Sequence, residues 1–192
     1  MSDRYEGRQG TFALHFFAAS VAALLLAAGI TTLLGLVATP PAPAHRTVFP
    51  WAMALSTGLL AVGSWVLHIG LAAIRVERRE RFCRAMLTAL GLATLFVGVQ
   101  SYSIWCLAAN QDPARVATGA NAFVLVFAGM HGIHFLVALL FLVFVTLRGL
   151  ADRYDHEYYL GVLVCTVFWH ILGIAWLPIL VTLLIGAASR WP

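Results

Sequence analysis

The stretch that decides the fold is YLGVLVCTVFWHILGIAWLPILVTLLIGA, residues 159–187. It contains no Asp, Glu, Lys or Arg, and it is longer than the roughly 20 residues that an α-helix needs to cross the hydrocarbon core of a bilayer. A helix satisfies its own backbone donors and acceptors, which an apolar solvent cannot do. The stretch therefore predicts a transmembrane α-helix.

Four further apolar runs precede it, at residues 11–37, 51–74, 82–108 and 121–147. Prolines follow the first run and Pro50 precedes the second, which favours helix ends at these points. The first run is longer than the apolar part of a signal peptide, so we expect it to be retained. The pattern predicts an all-α integral membrane protein: a bundle of five transmembrane helices forming a single domain over residues 1–192.

The composition agrees with a membrane protein. Hydrophobic residues make up 61% of the chain and charged residues 10%, whereas soluble domains carry about 25% charged residues. The net charge is +4 and every basic residue is Arg, but these residues are spread over the segments between the runs. This distribution favours contact with lipid phosphates over binding of nucleic acid. The three cysteines form no CxxC pair, so neither a disulfide framework nor a zinc site is expected.

The distribution of arginines predicts the orientation. With five spans, one side of the membrane would carry the N-terminus and the second and fourth connectors. That side holds Arg4, Arg8, Arg75, Arg78, Arg79, Arg81, Arg84, Arg148 and Arg153, and the other holds Arg46, Arg115 and Arg190. The excess favours a cytoplasmic N-terminus and an outward-facing C-terminus, in a bacterial-type plasma membrane.

Among Asp, Glu, Arg and His, only histidines occur away from the ends of the predicted spans. No Asp, Glu or Arg lies in the middle of a run, which argues against an ion-coupled transporter. Neither a phosphate-binding glycine loop nor a nucleophile with a base is found, so the chain is not expected to be a catalyst by itself. His68, His131, His134 and His170 could hold a b-type haem between helices or serve as hydrogen-bonded packing residues. His131 and His134 share one helix face, so these two cannot both be axial ligands of one haem.

Two segments carry a family resemblance. MHGIH, residues 130–134, is followed by Arg148 directly after the end of its run, and FWHILGIAWL occupies residues 168–177. Both resemble subunit III of the haem–copper oxidases, that is, cytochrome c oxidase and its quinol-oxidising relatives. That family has an HGxHV-type motif followed by Arg, and a YWHFVDVVWLF signature with which Trp169, His170, Trp176 and Leu177 are in register.

Weaker similarities extend the resemblance over most of the chain after Pro50. LSTG at residues 55–58, Trp65 with His68, and QSY at residues 100–102 resemble earlier helices of the family. The membrane-embedded acids of the family are absent, because Ser103, Leu163 and Gly173 stand at three of these positions and the first run has no Glu. The resemblance implies a five-helix form that lacks the first two of seven helices.

The resemblance implies an accessory subunit without a cofactor of its own, non-catalytic by itself. Its expected partners are the catalytic subunit I, which would hold haem and copper, other oxidase subunits and phospholipids, in aerobic electron transport. Candidates for lipid binding or packing are His131, His134, Arg148, Arg153, His156, Trp169 and His170. Two alternatives remain open: a subunit-III-like component of a nitric oxide reductase, and a small membrane b-type cytochrome.

Overall fold

The computed structural model describes residues 2–37, 51–109, 120–154 and 159–188, and these residues form five α-helices and no strand. The helices are α1 Ser2–Val37, α2 Trp51–Arg75, α3 Arg79–Ala109, α4 Ala120–Leu150 and α5 Leu160–Ala188. The predicted all-α fold with five helices is thus confirmed.

Four of the helices are long and apolar enough to cross a membrane. The qualifying segments are Trp51–Arg75, Arg79–Cys106, Val126–Leu150 and Leu160–Thr182. Within the described part of α1, the apolar segment Ala18–Ala27 is shorter, so a membrane crossing by α1 stays a prediction. The chain is an integral membrane protein on the strength of the other four.

Two helices begin at least three residues before the apolar runs from which they are predicted. The helix α1 begins at Ser2 instead of residue 11, and α3 begins at Arg79 instead of residue 82. At α3 the cause is visible in the first turns, where Arg84 Nη2 lies 2.7 Å from Glu80 Oε2 at the i,i+4 spacing that supports a helix. The polar segment between the second and third runs therefore extends α3 and leaves only residues 76–78 as a turn.

The helix α3 lies at the centre of the bundle and contacts α1, α2 and α4, while α5 packs on α2 and α4 and closes the far side. The backbones of α1 and α3 come close together at Gly98, where an added Cβ atom would lie 2.8 Å from the Ala27 carbonyl oxygen. This approach requires glycine, as is common where membrane helices pack.

Both short connections at one end of the bundle use the same helix stop. In the first, Glu77 has a φ of 55° and the Arg78 amide donates to the Ala73 carbonyl. In the second, Asp152 has a φ of 57° and the Arg153 amide donates to the Arg148 carbonyl. These are Schellman motifs, which usually have glycine at the left-handed position.

Three parts of the chain meet at this end. Arg79 Nε lies 3.1 Å from Asp152 Oδ1, so the α2–α3 turn and the α4–α5 connector are adjacent. The beginning of α1 is at the same end, because Phe12 and Phe16 contact Phe144 of α4 with ring centroids 5.8 and 5.9 Å apart. These segments therefore lie at one end of the bundle, whereas their placement on the cytoplasmic side of a membrane stays a prediction. We call this region the basic end, after Arg75, Arg78, Arg79, Arg81, Arg84, Arg148 and Arg153.

Candidate functional site

At the basic end, Arg148 lies close to two aromatic rings. It lies in the last turn of α4, partly buried. Its guanidinium carbon is 5.5 Å from the centre of the Phe144 ring and 5.7 Å from that of Tyr154. Rings at these distances attract a guanidinium through their π faces. Neither ion pair among the described residues involves Arg148, so its N–H groups are available for an external anion.

The neighbouring arginines are held by different partners. Arg75 lies 5.3 Å from the centre of the Tyr159 ring, at the start of α5. Arg79 pairs with Asp152 and Arg84 with Glu80, and all four side chains of these pairs are more than half exposed. Exposed pairs contribute little stability. The basic end therefore presents an excess of positive charge where lipid headgroups would lie.

Tyr154 joins this arrangement from the connector after α4. Its phenol packs over the first turn of α5, since a Cβ atom added at Gly161 would collide with the Tyr154 hydroxyl. Burial raises the pKa of the Tyr154 phenol, and the nearby Arg148 charge opposes this only in part. The hydroxyl stays protonated at neutral pH and can donate a hydrogen bond.

Inside the bundle, five aromatic side chains form an aromatic cluster: Phe96, His131, Phe135, Trp169 and Trp176. His131 stacks on Trp176 with ring centroids 5.6 Å apart and an interplanar angle of 11°. Phe135 makes edge contacts with His131, Trp169 and Phe96 at 4.8, 5.4 and 4.6 Å. Every member is buried, so the cluster joins α3, α4 and α5 through packing.

Polar contacts attach α2 to α5 and to α3. Trp176 Nε1 donates to Thr57 Oγ1 at 3.1 Å, and Ser56 Oγ donates to Gln100 Oε1 at 2.6 Å. Such interhelical hydrogen bonds stabilise membrane bundles modestly. Two buried nitrogens, His131 Nε2 and Trp169 Nε1, have no hydrogen-bond partner within the described residues.

The structure separates the predicted site residues into three groups. Arg148 and Arg153 lie at the basic end, with Arg153 exposed. His131 and Trp169 are buried in the aromatic cluster, where they pack against side chains. His134 is exposed and His170 partly exposed on the outside of the bundle. The remaining candidate, His156, lies outside the described residues.

Sequence reasoning missed the aromatic partners of the arginines. Tyr154 and Tyr159 flank the polar connector before α5, and each places a ring against a guanidinium. Their position next to an Arg-rich helix end is a usable signal, because tyrosine is enriched at membrane interfaces. The pairing of Arg79 with Asp152 could not be foreseen, since it joins two connectors distant in sequence.

No cluster of three or more His, Cys, Asp or Glu that could hold a metal is found within the part of the chain that the structure describes. His131 and His134 differ in environment although they are three residues apart, because one faces Trp176 and the other faces outward. The cysteines that the sequence analysis treats as reduced, Cys83, Cys106 and Cys165, are free.

Comparison with known proteins identifies the chain's relatives. The family model described as cytochrome c oxidase subunit III matches residues 11–187. The chain is 25% identical over 140 residues to cytochrome c oxidase subunit 3 of Glycine max, covering 70% of this chain and 49% of that protein. It is 28% identical over 131 residues to the Thermostichus vulcanus protein of the same name, covering 68% and 63%. For the Rhizopus stolonifer protein the identity is 28% over 141 residues, covering 72% and 47%. The chain thus spans about half to just under two thirds of the length of these relatives.

Proposed function

The chain belongs to the cytochrome c oxidase subunit III family, and we propose that it is the accessory, cofactor-free subunit of a respiratory haem–copper terminal oxidase. The observation that carries this proposal is the family match over residues 11–187, which includes all or most of each of the five helices. In this proposal, haem and copper are held by the catalytic subunit, and this chain packs against it and other oxidase subunits in aerobic electron transport.

Co-purification tests the proposed assembly. The tagged chain would be isolated from its native membrane in mild detergent, followed by identification of its partners, a reduced-minus-oxidised spectrum and measurement of oxygen uptake. We expect a large haem- and copper-containing partner and oxygen reduction. A chain that is isolated without such a partner, or that itself holds the haem, would contradict the proposal.

The same preparation separates the proposal from a nitric oxide reductase. The replacement of membrane acids by Ser103, Leu163 and Gly173 motivates this second candidate, because the family pattern has acidic residues at those positions. A co-purified complex that reduces nitric oxide but not oxygen would favour it. The family match supports the oxidase as the first choice.

We also propose that Arg148 binds the phosphate of a phospholipid at the basic end. The Arg148 guanidinium lies beside the rings of Phe144 and Tyr154, and neither ion pair among the described residues uses its N–H groups, so they can donate to phosphate oxygens. A guanidinium matches a phosphate through paired hydrogen bonds. Tyr154 adds a hydroxyl donor, and the exposed side chain of Arg153 follows in the same connector. The orientation proposed from the arginine count places this lipid in the cytoplasmic leaflet.

Substitution of Arg148 tests the lipid contact. A juxtamembrane Arg contributes about 1 kcal/mol to binding of an anionic lipid, so Arg148→Gln should weaken retention of anionic phospholipid roughly fivefold. The Arg148→Lys variant keeps the charge but loses the paired hydrogen bonds, and should be intermediate. Bound lipid would be counted by native mass spectrometry in titrations with phosphatidylglycerol.

The matched control for Arg148→Gln is Arg84→Gln. Arg84 lies at the same end, but it is exposed and already paired with Glu80. We expect this variant to retain lipid close to the wild-type level. Equal losses in Arg84→Gln and Arg148→Gln would show that only the total charge matters and would contradict a site at Arg148.

A further inference from the structure

Two histidines lie on the outside of the bundle, on opposite flanks of α5. His134 is exposed on α4 and is on the side that faces α5, because His131, three residues earlier, stacks on Trp176. His170 is partly exposed on α5 and is on the side that faces α2, because an added Cβ at Gly173 would lie 3.8 Å from Leu60. The outward surface of α5 therefore has an imidazole on each side.

Both rings are fixed in the same tautomer. His134 Nδ1 lies 2.7 Å from the Met130 carbonyl oxygen and His170 Nδ1 lies 2.6 Å from the Thr166 carbonyl oxygen. A carbonyl only accepts hydrogen bonds, so each Nδ1 carries the proton in these contacts. In a neutral imidazole the other nitrogen, Nε2, is then a bare acceptor. Among the described residues, the hydrogen bonds of His134 and His170 involve only Nδ1, and no donor contacts the Nε2 atom of either ring.

The two histidines lie at similar depth, well inside the hydrocarbon. At 1.5 Å per residue, His134 is about 21 Å along α4 from Arg148. His170 is about 16 Å along α5 from Tyr159, by the same measure, and Tyr159 is at the basic end because it contacts Arg75. The hydrocarbon core is about 30 Å thick. Neither ring is therefore at a headgroup, where its acceptor could reach water.

Lipid chains cannot satisfy an imidazole acceptor at this depth, because they have no hydrogen-bond donors. Ionisable residues inside membranes almost always face protein or a water-filled cavity. The residues between the two histidines on α5 are large, apolar and exposed, a surface that packs well against another helix: Val167 46%, Ile171 57% and Ile174 67% exposed. The flanking imidazoles distinguish this surface from one made only to face lipid.

We propose that the outer face of α5, between His134 and His170, is where a transmembrane helix of the catalytic subunit docks, and that this helix carries hydrogen-bond donors for both Nε2 atoms. This inference rests on the proposed function, which supplies the partner. Side chains such as Ser, Thr, Asn, Trp or Tyr on the partner helix would meet the requirement, and they would set its register along α5.

The outer face of α3 provides the contrast. Leu87 is 50% exposed and Leu95 38% exposed, and the exposed face of this helix has no ionisable side chain from Leu87 to Trp105. Between its ends it offers only Thr88, Gly91 and Ser101 as small or polar exposed groups. We assign this face to lipid.

A pair of matched substitutions tests the assignment. Ile171→Trp adds bulk to the outer face of α5, and Leu87→Trp adds it to the outer face of α3, at residues of similar exposure. Each variant, expressed in the native host, would be isolated in mild detergent and the co-purified catalytic subunit quantified by its haem. We expect at least a tenfold loss of catalytic subunit with Ile171→Trp and a change below twofold with Leu87→Trp. The double change His134→Leu and His170→Leu should also lower recovery, since it removes both acceptors.

Photochemical crosslinking gives a readout that does not depend on weakened assembly or on folding of the variants. A photoreactive phenylalanine analogue at position 171 should form an adduct with the catalytic subunit, and the same analogue at position 87 should capture lipid only. Lipid adducts alone at position 171, with the wild-type complex intact, would overturn this inference and leave the proposed function standing. A wild-type chain without any haem-containing partner would overturn the proposed function, and this inference with it.

Discussion

The aromatic cluster and the basic end use the same kinds of side chain in different surroundings. In the cluster, Phe135 and Trp169 lie edge to face, and each ring is buried by others. At the basic end, Phe144 and Tyr154 lie against the Arg148 guanidinium, which takes part in neither ion pair of the described residues. Contacts between rings hold the helices against one another. Contacts between a ring and a guanidinium position the charge without neutralising it, so the charge can still attract an anion. The difference fits a bundle that is stabilised by its interior, and it motivates the proposal that the basic end binds lipid.

The largest effect that would test this comparison comes from removal of a ring inside the cluster. Trp169→Ala should lower the free energy of unfolding by about 3 kcal/mol or more, because it leaves a cavity among well-packed neighbours. The control Trp65→Ala removes the same side chain where it is 67% exposed, and should change stability by no more than about 0.5 kcal/mol. Unfolding in mixed micelles with increasing SDS would measure both. Equal losses would show that the cluster does not dominate stability.

A smaller effect is expected from the hydrogen bond that joins α2 to α3. Ser56→Ala removes the donor that Gln100 Oε1 accepts, and should cost about 1 kcal/mol. Ser101→Ala, at an exposed hydroxyl on α3, serves as its control and should be close to neutral. The same SDS titration applies, and a neutral Ser56→Ala would show that Gln100 finds another partner.

The smallest effect is expected at the basic end. Asp152→Asn removes the ion pair with Arg79, whose side chains are 58% and 66% exposed, while Asn still tolerates the left-handed backbone at this position. The loss of stability should stay below about 1 kcal/mol and shrink further in high salt. A loss as large as that of Trp169→Ala would mean that the basic end holds the bundle together, and the division proposed above would fail.

The fold was predictable because its signals are local. Residues 159–187 are long enough to cross a bilayer and carry no charged side chain. A segment in lipid must pair its own backbone N–H and C=O groups, and a helix does so within the segment. The near-helical spacing of acids and bases in residues 75–84 also indicates a short helical turn, and in the structure residues from Arg79 onward form the first turns of α3. The grouping of the basic segments at one end is expected from the number of spans, and the arginine count bears only on which side they face.

The candidate site was predictable only in part. Arg148 was found from a motif and its place at a helix end, but its ring partners were not. His131 and His134 were grouped because they share a helix face, yet their exposure differs. Residues three apart lie on the same side of a helix but at different angles around its axis. One of them can therefore be buried against a neighbouring helix while the other is exposed at the edge of that contact.

The sequence by itself determined that this chain is helical and lies in a membrane, and its motifs pointed to subunit III, because apolar length and short motifs need no knowledge of neighbours. Only the tertiary structure decided which histidines are interior and which face outward. That depends on how α4 and α5 are rotated about their axes, and the rotation follows from close packing: His131 against Trp176 on one side, and Gly173 against Leu60 on the other. No single helix carries that information, since apolar residues cover almost its whole circumference.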